Sequence, residues 1–171
     1  MKKVCNILIV LVLLITTSGS FAQEKTKKEL KEARKIEKQK QTDALVASKS
    51  FVFVANRALP TGYRSVDLTT NPNFISFKPD FIKSDMPFFG RATGSLPYGG
   101  GEGGLKFEGV PEGFSIEKGA KNYLLKATVK DKNDNYKIQL TIFFDGGASL
   151  QIYSNNRASI SYMGAISKPE K

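Results

Sequence analysis

Between residues 123 and 163 the chain alternates apolar and polar side chains in runs joined by very short links. No other feature constrains the fold as much. Tyr136, Ile138, Leu140, Ile142 and Phe144 alternate with mostly polar residues. A period of two sends successive side chains to opposite faces, so this run reads as a strand with one buried face. Residues 123–130, 149–153 and 158–163 repeat the pattern. The links are Asp131 to Asn135, Asp145-Gly146-Gly147 and Asn155-Asn156. Asp, Asn and Gly adopt the left-handed backbone angles of tight hairpins. Links this short join antiparallel neighbours.

Upstream, Phe51, Phe53 and Ala55 face one way and Val52 and Val54 the other. Residues 63–68 and 73–77 are further candidate strands, and Pro79-Asp80 turns the latter into residues 81–84. Residues 105–109 and 114–117 flank an expected turn from Pro111 to Gly113. The fold class is mainly β (α+β): one antiparallel domain over residues 49–167, followed by a tail at 168–171. A sheet of about eight or more strands rarely stays flat, so a curved or barrel-like form is expected.

Residues 23–48 form a different segment, a basic arm. From Glu24 to Ala47 there is no Pro or Gly, and Lys, Glu, Gln and Ala dominate. These residues favour helix, and pairs such as Glu24 with Lys28 support an exposed one. The apolar stripe is thin (Leu30, Ala33 and Ile36, then Ala44, Leu45 and Val46). A solvated first half is expected, with a second half able to dock on the domain.

The extreme N-terminus reads as an export signal over residues 1–22. Lys2 and Lys3 precede an unbroken apolar run over residues 7–15, and small residues Ser20 and Ala22 set up cleavage after Ala22. A bilayer span takes roughly 20 apolar residues, well beyond this run. The expected location is the periplasm or cell envelope. Cys5 precedes the apolar run and leaves with the signal, so it cannot carry a lipid at the cleavage point.

The released chain would hold no Cys and no His. That removes disulfides, thiolate nucleophiles, Ser-His-Asp relays and zinc sites built on these ligands. No cofactor, metal or catalytic set is expected. The formal net charge is +10, of which Lys2 and Lys3 supply two units. Residues 24–41 carry eight Lys/Arg against four Glu, whereas residues 50–167 carry thirteen against ten Asp/Glu. The excess therefore sits on the arm. A nucleic-acid binder concentrates basic residues and stacking aromatics on the domain, so no nucleic-acid partner is expected. Weak association of residues 24–41 with anionic envelope surfaces fits the charge better.

Two motifs fail on context. Gly99, Gly101 and Gly104 satisfy G-x-G-x-x-G, but strand-like residues 105–107 follow where a phosphate site needs a helix. Asp131, Asn133 and Asn135 open like a calcium loop, yet Tyr136 and Ile142 stand where Gly and Glu are required. Among the acids, Asp85 and Glu102 are the least ordinary, though neither has an identifiable partner. The stretch from Met86-Pro87 to Tyr98 is richer. Phe88, Phe89 and Tyr98 lie between two prolines and a Gly cluster. Such aromatics either plug the end of a sheet or line a pocket. Arg91 would serve an acidic ligand there or cap carbonyls. Phe88, Phe89, Arg91, Tyr98 and Tyr162 form the candidate ligand site.

Met86-Pro87-Phe88-Phe89-Gly90-Arg91-Ala92, Leu96-Pro97-Tyr98-Gly99-Gly100 and Gly103-Gly104-Leu105-Lys106-Phe107-Glu108-Gly109 resemble the domain-of-unknown-function family DUF4251. Ser154-Asn155-Asn156-Arg157 and Ile160-Ser161-Tyr162-Met163-Gly164 fit the same family, over about residues 45–167. Met86 and Phe88 stand where Leu and Tyr are expected. The resemblance implies a small exported protein, sometimes a lipoprotein, of a family found mostly in Bacteroidota, and it brings no established activity. The leading functional expectation is a non-enzymatic module that binds a partner protein or small ligand. The alternatives are a carboxylate-dependent hydrolase using Asp85 and Glu102 on envelope material, and a structural protein held to the envelope by its basic helix.

Overall fold

The alternating runs become ten strands of one antiparallel sheet in the computed structural model, which describes residues 26–70, 73–92, 103–132 and 134–169. They are β1 (Phe51–Pro60), β2 (Val66–Asp67), β3 (Phe74–Phe77), β4 (Ile82–Met86) and β5 (Leu105–Gly109). Then follow β6 (Pro111–Lys118), β7 (Asn122–Lys130), β8 (Asn135–Phe143), β9 (Gly147–Tyr153) and β10 (Ile160–Ser167). The order across the sheet is β5-β4-β3-β1-β10-β9-β8-β7-β6, with β2 also paired to β1. The sheet curls until it is nearly closed as a barrel. Its edges, β5 and β6, follow one another in the chain. Side chains bridge the remaining seam: Phe107 of β5 stacks on Tyr136 of β8 at 4.1 Å.

Inward positions of every long strand but β6 feed one buried cluster, against which β6 packs the partly buried Phe114 and Ile116. Phe51 and Phe53 from β1, Leu140 from β8 and Tyr162 from β10 are fully shielded from solvent. Burying a side chain of this size is worth about 1.5–3 kcal/mol, which fixes the register of each strand. A polar exception is Ser84, whose hydroxyl donates to Leu105 O at 2.8 Å.

Two compact units divide the chain, Met1–Glu37 and Lys38–Lys171. In the first, the described residues 26–37 are helical and exposed, including Leu30 and Ile36. In the second, residues 38–48 are helical and are denoted α1. Thr42 and Val46 of α1 are buried. Tyr123 of β7 donates its hydroxyl to Asp43 at 2.8 Å and meets Phe144 edge-on at 5.6 Å. So α1 caps the end of the barrel where β7 and β9 begin. The helix stops at Lys49, which takes a left-handed φ of 53° and donates its N–H to Val46 O. The expected signal over residues 1–22 lies outside the described residues. No described helix is long and apolar enough to cross a membrane.

Three strand expectations need correction. Residues 63–68 yield only β2, because Asp67 turns back to accept hydrogen bonds from the N–H and hydroxyl of Thr69. Pro111 to Gly113 is not a turn. β6 starts at Pro111, and the ladder shifts between Glu112 and Ser115 where Gly113 has φ 63°. That is a bulge on an edge strand, where a Pro lacking its N–H is tolerated. Finally, β10 starts at Ile160 and runs through Gly164 to Ser167. At Gly164 the β1 backbone comes so close that a Cβ would lie 2.8 Å from the Cα of Ala55. The close approach coincides with the register shift of β1 between Ala55 and Arg57.

Candidate functional site

The aromatic loop sits at the end of the barrel where β4 finishes and β5 and β10 begin. Met86, expected to open the loop, is instead the last, buried residue of β4. Tyr162 is wholly buried, and its hydroxyl donates to Pro87 O at 2.6 Å. Burial pushes its phenol far above the ordinary range, with Arg157 opposing the shift. Phe88 and Phe89 are half-buried and pack against the core. Arg91 is exposed, and its carbonyl accepts the N–H of Ala158. Tyr98 lies outside the described residues, as do Glu102 and most of the Gly-rich stretch.

The sequence reading missed Arg157. Its guanidinium lies 5.2 Å from the Phe88 ring and donates to Gly104 O at 2.8 Å. One side chain thus ties the loop after β4, the start of β5 and the loop before β10 together. Its signal was present in the Ser-Asn-Asn-Arg block, but spacing alone cannot say what an Arg caps. Asp134 does a related job nearby, accepting from the Ser154 hydroxyl at 2.5 Å and from Asn155 N at 3.0 Å. Asp131 accepts from the N–H of Lys132. The carboxylates of the calcium-like turn are thus engaged by hydrogen bonds, Asp131 within the turn and Asp134 across to the loop after β9. Asp85 pairs with Lys106 at 3.7 Å.

A concave surface lies elsewhere, on the outer face of the sheet. It encloses about 550 Å³ over β1, β3 and β4, bounded by the end of β10. Its apolar floor is Val52, Val54, Phe74 and Phe81, with Val54 46% and Phe81 39% exposed. The register explains the juxtaposition. Val52 stands between Ser167 and Ser76, and Val54 between Ala165 and Phe74. Lys78, Lys83 and Lys168 line the same groove, and no lining residue carries a carboxylate. Lys83 pairs with Glu108 at 3.2 Å. Lys78 and Phe81 are held by reciprocal backbone hydrogen bonds of 2.9 and 3.3 Å, which close the turn between β3 and β4. The sequence carried a hint of this floor, because β1 is apolar on both faces.

A family model described as a domain of unknown function, DUF4251, matches residues 33–166. The chain belongs to the DUF4251 family. A crystal structure of a DUF4251 family protein from Bacteroides eggerthii is similar to it over 75% of this chain and 86% of that one. The identity is 19% and the TM-score 0.59, a likeness that shows the shared fold alone. No curated protein matches the chain. The DUF4251 match includes α1 as well as the sheet up to Ile166.

Proposed function

We propose that this DUF4251 protein is exported and works as a non-covalent binding module. The observation that carries the reading is the outer groove. It leaves Val54 and Phe81 in contact with water although the sheet has an inner face available for apolar residues. Pockets of this size, apolar with a few polar groups at the rim, are the usual shape of small-ligand sites. The basic start, the apolar run at residues 7–15 and the small residues before Gln23 support export.

Both parts are open to test in an exporting host. N-terminal sequencing of the released chain is expected to begin at Gln23; a chain retained inside with Met1 intact overturns export. Native mass spectrometry then compares the isolated chain with Val54→Glu. A bound mass lost in the variant supports a binding role for the groove. Only the bare chain, with no bound mass, in both proteins overturns it.

A further inference from the structure

We propose that the outer groove holds a single anionic amphiphile, a long-chain carboxylate whose head sits at the lysines and whose chain lies over Val52, Val54 and Phe74. This rests on the binding role argued above and adds its ligand class.

The groove is polarised along its length. Ser167 pairs with Val52, so Lys168 follows at the end of the barrel near Phe51. Phe77 pairs with Phe51, so Lys78 follows at that same end. Lys83 joins them through Ser76, which stands between Val52 and Lys83. All three ammonium-bearing positions thus gather at one end, and Val54, Phe74 and Asn73 lie toward the other. Glu108 already engages Lys83. Among the described residues, no carboxylate forms an ion pair with Lys78 or Lys168, and Asp80 in the adjoining turn makes none with either. A cationic end and an apolar length match an anion carrying a hydrocarbon chain.

The floor also selects against an extended peptide. β1 is bonded to β10 on one side and to β3 on the other, and β3 to β1 and β4. Their N–H and C=O groups are used by the sheet, so a peptide strand would find no ladder to join. A hydrocarbon chain needs none.

The test is calorimetric titration of the purified full chain with laurate as free monomer, alongside dodecylammonium, hexanoate and anionic phospholipid vesicles. Laurate is expected to bind once per chain, with dodecylammonium and hexanoate each weaker by about tenfold or more, the equivalent of roughly 1.4 kcal/mol. Val54→Glu and the double variant Lys78→Glu/Lys168→Glu are each expected to weaken laurate by about the same factor. Both sites are at the surface, and unchanged unfolding midpoints verify that the variants fold. Laurate binding that ignores these substitutions overturns the proposal, as does equal binding of the cation. Vesicle binding without monomer binding also overturns it, in favour of a membrane surface. If laurate fails while Val54→Glu still loses a mass retained from the host, the binding role stands and only this ligand class falls.

Discussion

β1 and β8 obey the same rule on their inner faces and opposite rules on their outer ones. Both bury alternate residues completely: Phe51 and Phe53 in β1, Leu140 and Ile142 in β8. Outside, β8 shows water Lys137, Gln139 and Thr141 before it ends on Phe143, whereas β1 opens with Val52 and Val54. The inner face is dictated by the core, where every polar replacement leaves an unsatisfied group. The outer face is under no such constraint. Its composition is free to serve something else, and on β1 it is apolar where solvation alone favours β8's pattern. The difference separates what the fold requires from what it merely permits.

The largest effect expected from this contrast comes from Phe53→Ala, which should cost about 3–5 kcal/mol in urea unfolding. Its neighbour Val54→Ala should change stability by no more than about 0.5 kcal/mol. Equal losses from the two substitutions would erase the distinction between the faces. Next is Gly164→Ala, at about 1–3 kcal/mol, because the added methyl meets the backbone of Val54 and Ala55, which cannot swing aside as a side chain can. A neutral Gly164→Ala would mean that β1 and β10 can separate at the bulge, and that the floor beneath Val54 is pliable.

A pH effect follows at the other end of the barrel. Burial raises the Tyr162 phenol above the ordinary value of about 10, and burial raises that of Tyr136 too, with Asp134 adding to the shift. Below that pH both folded and unfolded chains keep the proton, and the stabilisation is complete. Above it the unfolded chain ionises first, so stability falls as pH rises, by up to about 1.4 kcal/mol per pH unit for each fully shifted group. Chemical denaturation between neutral and strongly alkaline pH should show the fall, and Tyr162→Phe should flatten it. A Tyr162→Phe slope as steep as the parent's would place the effect elsewhere. The smallest change concerns the junction that leads from α1 into β1. Lys49→Gly relieves a left-handed side-chain position and should raise stability by about 0.5–1 kcal/mol. A loss of stability there would mean that the Lys49 side chain contributes more than its backbone costs.

Much of the barrel was legible because period-two patterning is a local signal. Residues 123–130 and 136–144 were placed within a residue of β7 and β8, and the hairpin links between them by their Asp, Asn and Gly. Pro111-Glu112-Gly113 misled, since the same residues that make turns also make bulges, and only pairing with β7 decides between them. Residues 63–68 misled for a related reason: the hydrogen bonds from Asp67 to Thr69 compete with the ladder. Residue type and loop context group Phe88, Phe89 and Tyr162, and Pro87 O does connect the loop to Tyr162. Loop context points to Arg91, whereas Arg157 makes the carbonyl contacts, because the two loops are far apart in the chain.

The sequence by itself determined the antiparallel β class, the segregation of charge onto the helical segment, the lack of any His and the lack of Cys after Cys5. Each follows from composition or from spacing over a few residues. Only the tertiary structure decided that Val52, Val54, Phe74 and Phe81 share a groove with Lys78, Lys83 and Lys168. Six of them meet through the β1-β3-β4 pairing, and Lys168 joins from the far end of the chain. It does so because β10 pairs with β1, a register set by inward residues such as Phe53 and Ile166 and not by any residue of the groove itself.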